Sequence, residues 1–139
     1  MSGPKRSSAA RLRSVLVGTA PARAGLVVAA VGIGIVACYV AIDLFGLPST
    51  HPPGTTVLLV GFWVIPALAG IVCGWHRLGF LAALGSGITP ILVLYALQLL
   101  VQPDGDLPAF VFALMLGGQS VPFAVGGFVL GATAALLLE

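Results

Sequence analysis

The sequence predicts an all-α integral membrane protein built as a bundle of four transmembrane helices, and three observations carry this prediction. Of the 139 residues, 59% are hydrophobic and only 7% are charged, whereas a soluble domain carries about 25% charged residues. Half of the charged side chains precede residue 24. Four long stretches, 24–42, 55–75, 78–101 and 108–138, contain no charged residue. This composition excludes a soluble single-domain enzyme.

Each uncharged stretch is long enough to cross a bilayer as a helix. About 20 apolar residues span a hydrocarbon core about 30 Å thick, and a helix satisfies its backbone hydrogen bonds within its own segment. Strands of a membrane barrel would alternate polar and apolar residues, and these stretches do not alternate. We therefore expect a basic segment at 1–23, followed by spans at about 24–45, 55–75, 78–101 and 108–138.

The basic segment 1–23 allows two interpretations. Leu12, Val15 and Leu16 recur at helical spacing, which is typical of a short interfacial helix. The sequence favours a simpler interpretation, a flexible basic tail that only sets the topology. In either case cations beside a span attract anionic lipid headgroups. The candidate contacts to anionic lipids are Lys5, Arg6, Arg11, Arg13, Arg23 and Arg77.

The positions of the cations predict the orientation. All six Lys and Arg residues lie before the first span or between the second and third spans. Cytoplasmic loops are the ones that collect Lys and Arg. We therefore expect a multi-pass protein of the cell membrane with the N-terminus in the cytoplasm, and an even number of spans returns Glu139 to that side.

The two halves of the chain resemble each other. The run 23–26 is echoed at 77–80, the run 29–34 at 82–87, and Gly61, Pro66 and Gly70 recur as Gly117, Pro122 and Gly126. These matches map the first span on the third and the second on the fourth, which predicts two parallel-repeat helical hairpins. Chance similarity in a chain rich in Gly and Ala is the alternative.

The fourth stretch is too long for one straight span, because at 1.5 Å per residue it reaches about 46 Å. The segment 117–122 is the expected break, since glycines weaken a helix and Pro122 lacks an N–H donor. In the repeat, Trp75 aligns with Gly131. Residues 132–138 would then project beyond the membrane and pack against the basic segment or a partner.

Small residues at four-residue spacing predict close helix contacts. In lipid such faces let backbones approach, and packing rather than the hydrophobic effect drives association. They do not distinguish packing inside one chain from oligomerisation, although five faces in four helices leave one to spare. The faces are Ala30/Gly34/Cys38, Gly70/Gly74, Ala83/Gly87, Ala109/Ala113/Gly117 and Gly127/Gly131/Ala135.

Three spans carry a proline five residues after a glycine, at Gly61/Pro66, Gly85/Pro90 and Gly117/Pro122. Kinked packing helices explain this pattern most simply. The alternative is that helices 3 and 4 are broken and expose backbone carbonyls to a neutral or weakly polar solute, as in transporters. The candidate positions for the solute or the helix breaks are Ser86, Thr89, Pro90, Gln119, Ser120 and Pro122.

The sequence lacks the residues that most chemistries need. No carboxylate lies at mid-depth of a span, which excludes proton-coupled antiport. Cys73 and His76 supply two of the four ligands of a structural metal site, and His51 is expected on the other side of the membrane. We identify no catalytic residue, no cofactor or metal site, and no feature that points to nucleic acid.

Two functional hypotheses remain. The first is a non-enzymatic membrane protein that acts through helix–helix association, either with itself or as an accessory subunit of a membrane complex. The second is a small pore or carrier at the Gly/Pro positions of helices 3 and 4. Replacement of Gln119 and Ser120 by Leu would abolish a flux under the second hypothesis and would only perturb packing under the first.

Overall fold

A computed structural model describes residues 8–48, 51–101 and 108–139, and these residues are almost entirely helical, with no strand among them. Seven α-helices and one five-residue π-helix, Val60–Val64, account for the described chain. The α-helices are α1 (Ser8–Val17), α2 (Pro21–Leu44), α3 (Gly54–Leu59), α4 (Ile65–Trp75), α5 (Phe80–Val101), α6 (Ala109–Gly117) and α7 (Ser120–Leu138).

Four helical units are long and apolar enough to cross a membrane. We call α2 the first span, α3 with the π-helix and α4 the second, α5 the third, and α6 with α7 the fourth. The first of the four units, Ser8–Leu44, also includes α1. The structure thus shows an all-helical chain with four helices of spanning length and apolarity.

The segment before the first span is helical. Residues Ser8–Val17 form α1, and none of them is buried, so a flexible tail does not describe this part of the chain. Gly18 ends the helix in the left-handed region, with φ of +74°, where glycine has no Cβ penalty. Pro21 then opens α2, in the first turn where its missing N–H costs no hydrogen bond.

The second span is irregular just before Pro66. Pro66 has no N–H to donate to the carbonyl of Phe62, and the chain forms a π-helix over Val60–Val64 immediately before it. The N–H of Ile65 bonds to the carbonyl of Val60, five residues earlier. This wider turn accommodates the proline without ending the helix.

The third span is not broken, which rules against the alternative of a broken helix 3 and agrees with the favoured interpretation of packing helices. Phe80–Val101 is one α-helix with Pro90 inside it. The hydroxyls of Ser86 and Thr89 donate to carbonyls one turn earlier, at Ala82 and Gly85. An internal proline removes one backbone hydrogen bond, and packing of α5 against three other spans holds the helix together.

The fourth span is interrupted where the sequence predicted a break. Helix α6 ends at Gly117 and α7 begins at Ser120, with Gly118 and Gln119 between them. Both linking residues keep right-handed helical dihedrals, so the interruption is mild. Pro122 falls in the first turn of α7, where its missing N–H has no partner within the helix to lose.

Helices α4 and α7 form the most extensive contact in the bundle, and α5 packs against both of them and against α2. One core cluster is centred on Val31, Ile35, Phe62 and Leu94. The first span contributes least to the interior, because only Ala24, Val31 and Ile35 of α2 are buried. The bundle therefore has a tightly packed centre and a first span at its edge.

Candidate functional site

The contact between α4 and α7 depends on glycines that leave no room for a side chain. A β-carbon added at Gly70 would overlap the carbonyl oxygen of Ala124, and one added at Gly127 would overlap the carbonyl oxygen of Ala67. Both helices run toward the end of the bundle that carries Arg77 and Glu139. This is close backbone packing of two parallel helices through small residues.

The glycine contact is reciprocal. One turn further along, a β-carbon at Gly74 would overlap the carbonyl oxygen of Phe128, and one at Gly131 would overlap that of Ile71. The packing therefore relates residues 57 positions apart, 70 with 127 and 74 with 131. Gly126, the sequence match of Gly70, is exposed and has nothing within 4 Å of an added β-carbon, so Gly127 takes its place in the contact.

Two of the predicted solute-site residues use their hydroxyls inside their own helix. The Ser86 hydroxyl is fully buried and donates to the Ala82 carbonyl at 2.9 Å. The Thr89 hydroxyl donates to the Gly85 carbonyl at 2.8 Å. Each hydroxyl hydrogen is thus occupied by a backbone acceptor of the preceding turn.

Ser120 joins the third span to the fourth. Its hydroxyl is fully buried, and its oxygen lies 2.7 Å from the carbonyl oxygen of Gly87 and close to that of Gly117. The single hydroxyl hydrogen of Ser120 is therefore shared between a carbonyl of the third span and one of its own span. A β-carbon at Gly87 would lie 2.9 Å from the α-carbon of Val121, which shows how closely the two helices pack.

Gln119 lies on the outer surface of the bundle. Its side-chain oxygen accepts a hydrogen bond from the indole N–H of Trp63 at 3.0 Å. The Trp63 ring also stacks on Phe123, with the ring centroids 5.1 Å apart. Pro122 is exposed beside it, whereas Pro90 is buried. The six predicted positions thus divide into a buried group, Ser86, Pro90 and Ser120, the half-buried Thr89, and the exposed Gln119 and Pro122. The four polar ones are hydrogen-bonded within the protein.

The second span ends in a Schellman motif whose left-handed residue is an arginine. The Leu78 N–H bonds to the Cys73 carbonyl at 2.9 Å, and the Arg77 N–H bonds to the Gly74 carbonyl at 3.3 Å. Arg77 has φ of +53°, a conformation that glycine usually supplies in this motif. Leu78 and Cys73 are both buried in a second core cluster, which provides the apolar contact typical of the motif.

The turn after the second span is fastened to the turn after α1. Gly79 has φ of +102°, and a β-carbon added there would lie 2.6 Å from the backbone nitrogen of Gly18. In the other direction, a β-carbon at Gly18 would overlap the backbone of Leu78. The Thr19 N–H donates to the Arg77 carbonyl at 3.3 Å. These contacts position α1 at the end of the bundle.

A cavity of about 910 Å³ lies beside this junction, and we call it the basic-end cavity. Its polar lining comes from Arg11, Ser14 and Thr19 around α1 and from Arg77 after the second span. Its apolar lining comes mainly from α7, through Phe128, Ala132, Ala135 and Leu136. Helix α1 and the last turns of α7 therefore line one cavity, in the region where residues 132–138 were expected to meet the basic segment or a partner.

The predicted lipid-contacting cations separate into three groups. Arg11 and Arg77, distant in sequence, line the basic-end cavity. Arg13 and Arg23 are exposed and do not line it. Lys5 and Arg6 lie outside the described residues. The fold thus brings together two of the six candidates.

Sequence reasoning missed several contacts at this end of the bundle. Glu139 was not paired with Arg77, although their opposite charges and predicted common side of the membrane were a usable signal. Gly18 and Gly79 were not recognised as a junction, although each is a glycine between two helices. Nothing in the sequence distinguishes Phe128 and Ala132, which line the cavity, from the other apolar residues of the fourth span.

The described residues bring together no group of three or more His, Cys, Asp or Glu side chains. Their two cysteines, Cys38 and Cys73, are free thiols. Compared with protein-family models, with curated proteins and with solved structures, the chain has no match. The functional conclusion therefore rests on the physical features described above.

Proposed function

We propose that this protein is a four-span integral membrane protein that acts without catalysis, through helix–helix association, as a homo-oligomer or as an accessory subunit of a membrane complex. The observation that carries the proposal is the outer side of the first span, where Gly25, Ala29 and Ala37 are exposed while glycines of the other three spans pack inside the chain. In lipid such a face allows a second helix to approach closely.

The small-residue faces of three spans are used inside the chain. Gly70 and Gly74 pack against α7, Gly87 packs against Val121, and Gly117 packs against Ile91. The first span differs. Of its predicted face, Gly34 packs against Ile65 and Cys38 against Gly61, whereas Ala30 is exposed. A different row, Gly25, Ala29 and Ala37 with the larger Ile33 between them, is exposed on the outer side. A β-carbon added at Gly25 would have no neighbour within 4 Å.

The orientation is part of the proposal. Arg11, Arg23 and Arg77 all lie toward the end of the bundle where Glu139 pairs with Arg77, and this clustering of cations supports a cytoplasmic location for that end. Cysteines introduced at positions 13 and 46 would test it. In intact cells a membrane-impermeant maleimide should label position 46 only, and labelling of position 13 instead would reverse the orientation.

The reciprocal glycine contact also supports the proposed duplication. Parallel repeats are related by an axis along the membrane normal, and such an axis makes the two copies of one helix face each other symmetrically. The α4–α7 contact has this property at 70/127 and 74/131. In the contact of α2 with α5, Gly32 meets Thr89 and Gly85 meets Val28, again residues 57 apart. This offset differs by four residues from the sequence match of 29–34 with 82–87, so the contacts support paired hairpins but not that alignment.

Native mass spectrometry of the protein released from its own membrane tests the association. We expect a defined homo-oligomer or a hetero-complex, and Ala29→Ile should lower its abundance because the larger side chain separates the helices. Ala96→Ile is the matched control, since Ala96 is an exposed alanine on α5. A bare monomer in gentle detergent and in nanodiscs would reject the proposal.

The pore or carrier hypothesis receives less support. Ser86, Thr89 and Ser120 are hydrogen-bonded to backbone carbonyls, and Gln119 to Trp63. This arrangement favours a packing role for these residues. Loss of a solute flux on replacing Gln119 and Ser120 by Leu would reverse that preference.

A further inference from the structure

We infer that the basic-end cavity binds one anionic phospholipid, with the phosphate beside Arg11 and Arg77 and an acyl chain along the α7 wall. The inference rests on insertion of the bundle in a membrane, which is part of the proposed function, and does not depend on association with a partner. Three features of the cavity carry it: its charge, its apolar wall and its position in the bundle.

The cavity has a net positive charge. Arg11 makes no ion pair within the described part of the chain, while Arg77 is paired with Glu139. Glu139 occupies only the Nη2 nitrogen of Arg77, and a guanidinium has five N–H donors. Donors on Arg77 therefore stay available to a phosphate. The exposed Thr19 hydroxyl lies in the same lining and adds another donor.

The apolar wall distinguishes a lipid from a free anion. Inorganic phosphate needs only the cations, whereas the cavity continues along Phe128, Ala132 and Leu136 of α7. Leu136 is 70% exposed, so the wall opens onto the outer surface of the bundle, where an acyl chain can continue into the bilayer. A volume of about 910 Å³ is far larger than a phosphate ion requires and lies in the range of sites for drug-sized ligands.

The position of the cavity matches the place of a phospholipid in a membrane. Gly74 and Phe128 of its lining belong to spanning helices, while Arg11 and Thr19 belong to the basic segment before the first span. The cavity thus crosses from the apolar helices to the cationic end. Phospholipid headgroups occupy this boundary, and cations there attract anionic lipids.

The test is a lipid titration of the full-length protein by native mass spectrometry. The probes are palmitoyl-oleoyl phosphatidylglycerol, phosphatidylcholine with the same chains, and inorganic phosphate as competitor. We expect one phosphatidylglycerol to be retained in preference to phosphatidylcholine. Arg11→Gln should weaken this retention about tenfold, because charge-assisted hydrogen bonds are lost. Arg13→Gln, which removes the same charge from the same helix outside the cavity, should change it less than about twofold.

A second variant fills the cavity without touching the core. Ser14 is exposed on α1 and lines the cavity, so Ser14→Trp should displace the lipid while leaving the thermal unfolding of the bundle unchanged. Arg13→Trp controls for a general effect of tryptophan at the interface. The inference is overturned if both lipids are retained equally, if Arg11→Gln and Arg13→Gln act alike, or if inorganic phosphate displaces the lipid at equal concentration.

The test separates this inference from the proposed association. A monomer that retains phosphatidylglycerol would reject the association and leave the lipid site standing. An oligomer that shows no preference for phosphatidylglycerol would support the association and reject the lipid site.

Discussion

The Nη2 nitrogen of Arg77 lies 2.5 and 2.7 Å from the two carboxylate oxygens of Glu139. This contact joins residues 62 positions apart and ties the turn after the second span to the end of the fourth. Arg77 reaches it from a left-handed backbone conformation that costs free energy in a residue other than glycine. The same arginine lines the basic-end cavity, so the contact also controls the charge available there.

Removal of the Glu139 charge should strengthen lipid retention and barely change stability. Both side chains are mostly exposed, at 59% and 62%, and exposed ion pairs contribute about 0–1 kcal/mol. Glu139→Gln frees Arg77, so the titration described above should show tighter retention of phosphatidylglycerol. Asp43→Asn, the same charge change elsewhere in the chain, is the control. Weaker retention in Glu139→Gln would contradict this prediction.

Two adjacent glycines should respond oppositely to alanine. Gly127→Ala forces a β-carbon into the α4 backbone and should destabilise the bundle by about 1–3 kcal/mol. Gly126→Ala meets nothing within 4 Å and should be neutral or stabilising by about 0.5–1 kcal/mol, since alanine favours helix. Unfolding in mixed detergent micelles measures both. Equal destabilisation by the two variants would show that the close α4–α7 contact is not formed.

The two buried serines should differ when replaced by alanine. Ser120→Ala removes a hydrogen bond between the fourth and third spans and should cost about 0.6 kcal/mol or more. Ser86→Ala removes a bond within α5 only, and we expect a smaller loss, because alanine favours the helix. Both side chains are fully buried, which makes them a matched pair. Unfolding in mixed detergent micelles measures both variants. A larger loss of stability in Ser86→Ala would refute the proposal that Ser120 joins the third and fourth spans.

Gly79→Ala should release α1 from the bundle. The added methyl group strains a residue with φ of +102° and collides with the backbone of Val17 and Gly18. Trypsin should then cleave faster after Arg11 and Arg13, an effect that mass spectrometry of the fragments can quantify. Gly46→Ala also strains a left-handed residue, with φ of +58°, but meets nothing within 4 Å. If both variants accelerated cleavage equally, backbone strain alone would explain the effect.

The four long helices could be predicted from the sequence because charge-free stretches of sufficient length constrain the chain strongly. The break near Gly117 could also be predicted, since length, glycine and proline all pointed to it. The alternative of a broken third span does not hold, since Phe80–Val101 is one helix. Proline removes one hydrogen bond, and whether a helix then breaks depends on how the neighbouring helices pack against it, which the local sequence does not reveal.

The basic-end cavity could be predicted only in part. The sequence predicted that Arg11 and Arg77 lie on the same side of the membrane, because the topology rule depends only on the distribution of Lys and Arg. Their shared cavity depends on the docking of α1, and this docking depends on the close approach of Gly18 and Gly79. The sequence match paired Gly70 with Gly126, whereas in the structure the neighbouring Gly127 packs against α4. A periodic pattern of small residues does not indicate which of two adjacent glycines faces the partner helix.

The α4–α7 contact has a consequence for the order of events during synthesis. The second span is made well before α7, and until α7 follows, Gly70 and Gly74 have no helix to cover them. If the ribosome pauses after the third span, the face of α4 that carries Gly70 and Gly74 has no partner helix during the pause. The same face of a neighbouring nascent chain can occupy it in that interval. Synthesis of α7 is therefore the step that commits the second span to its own chain.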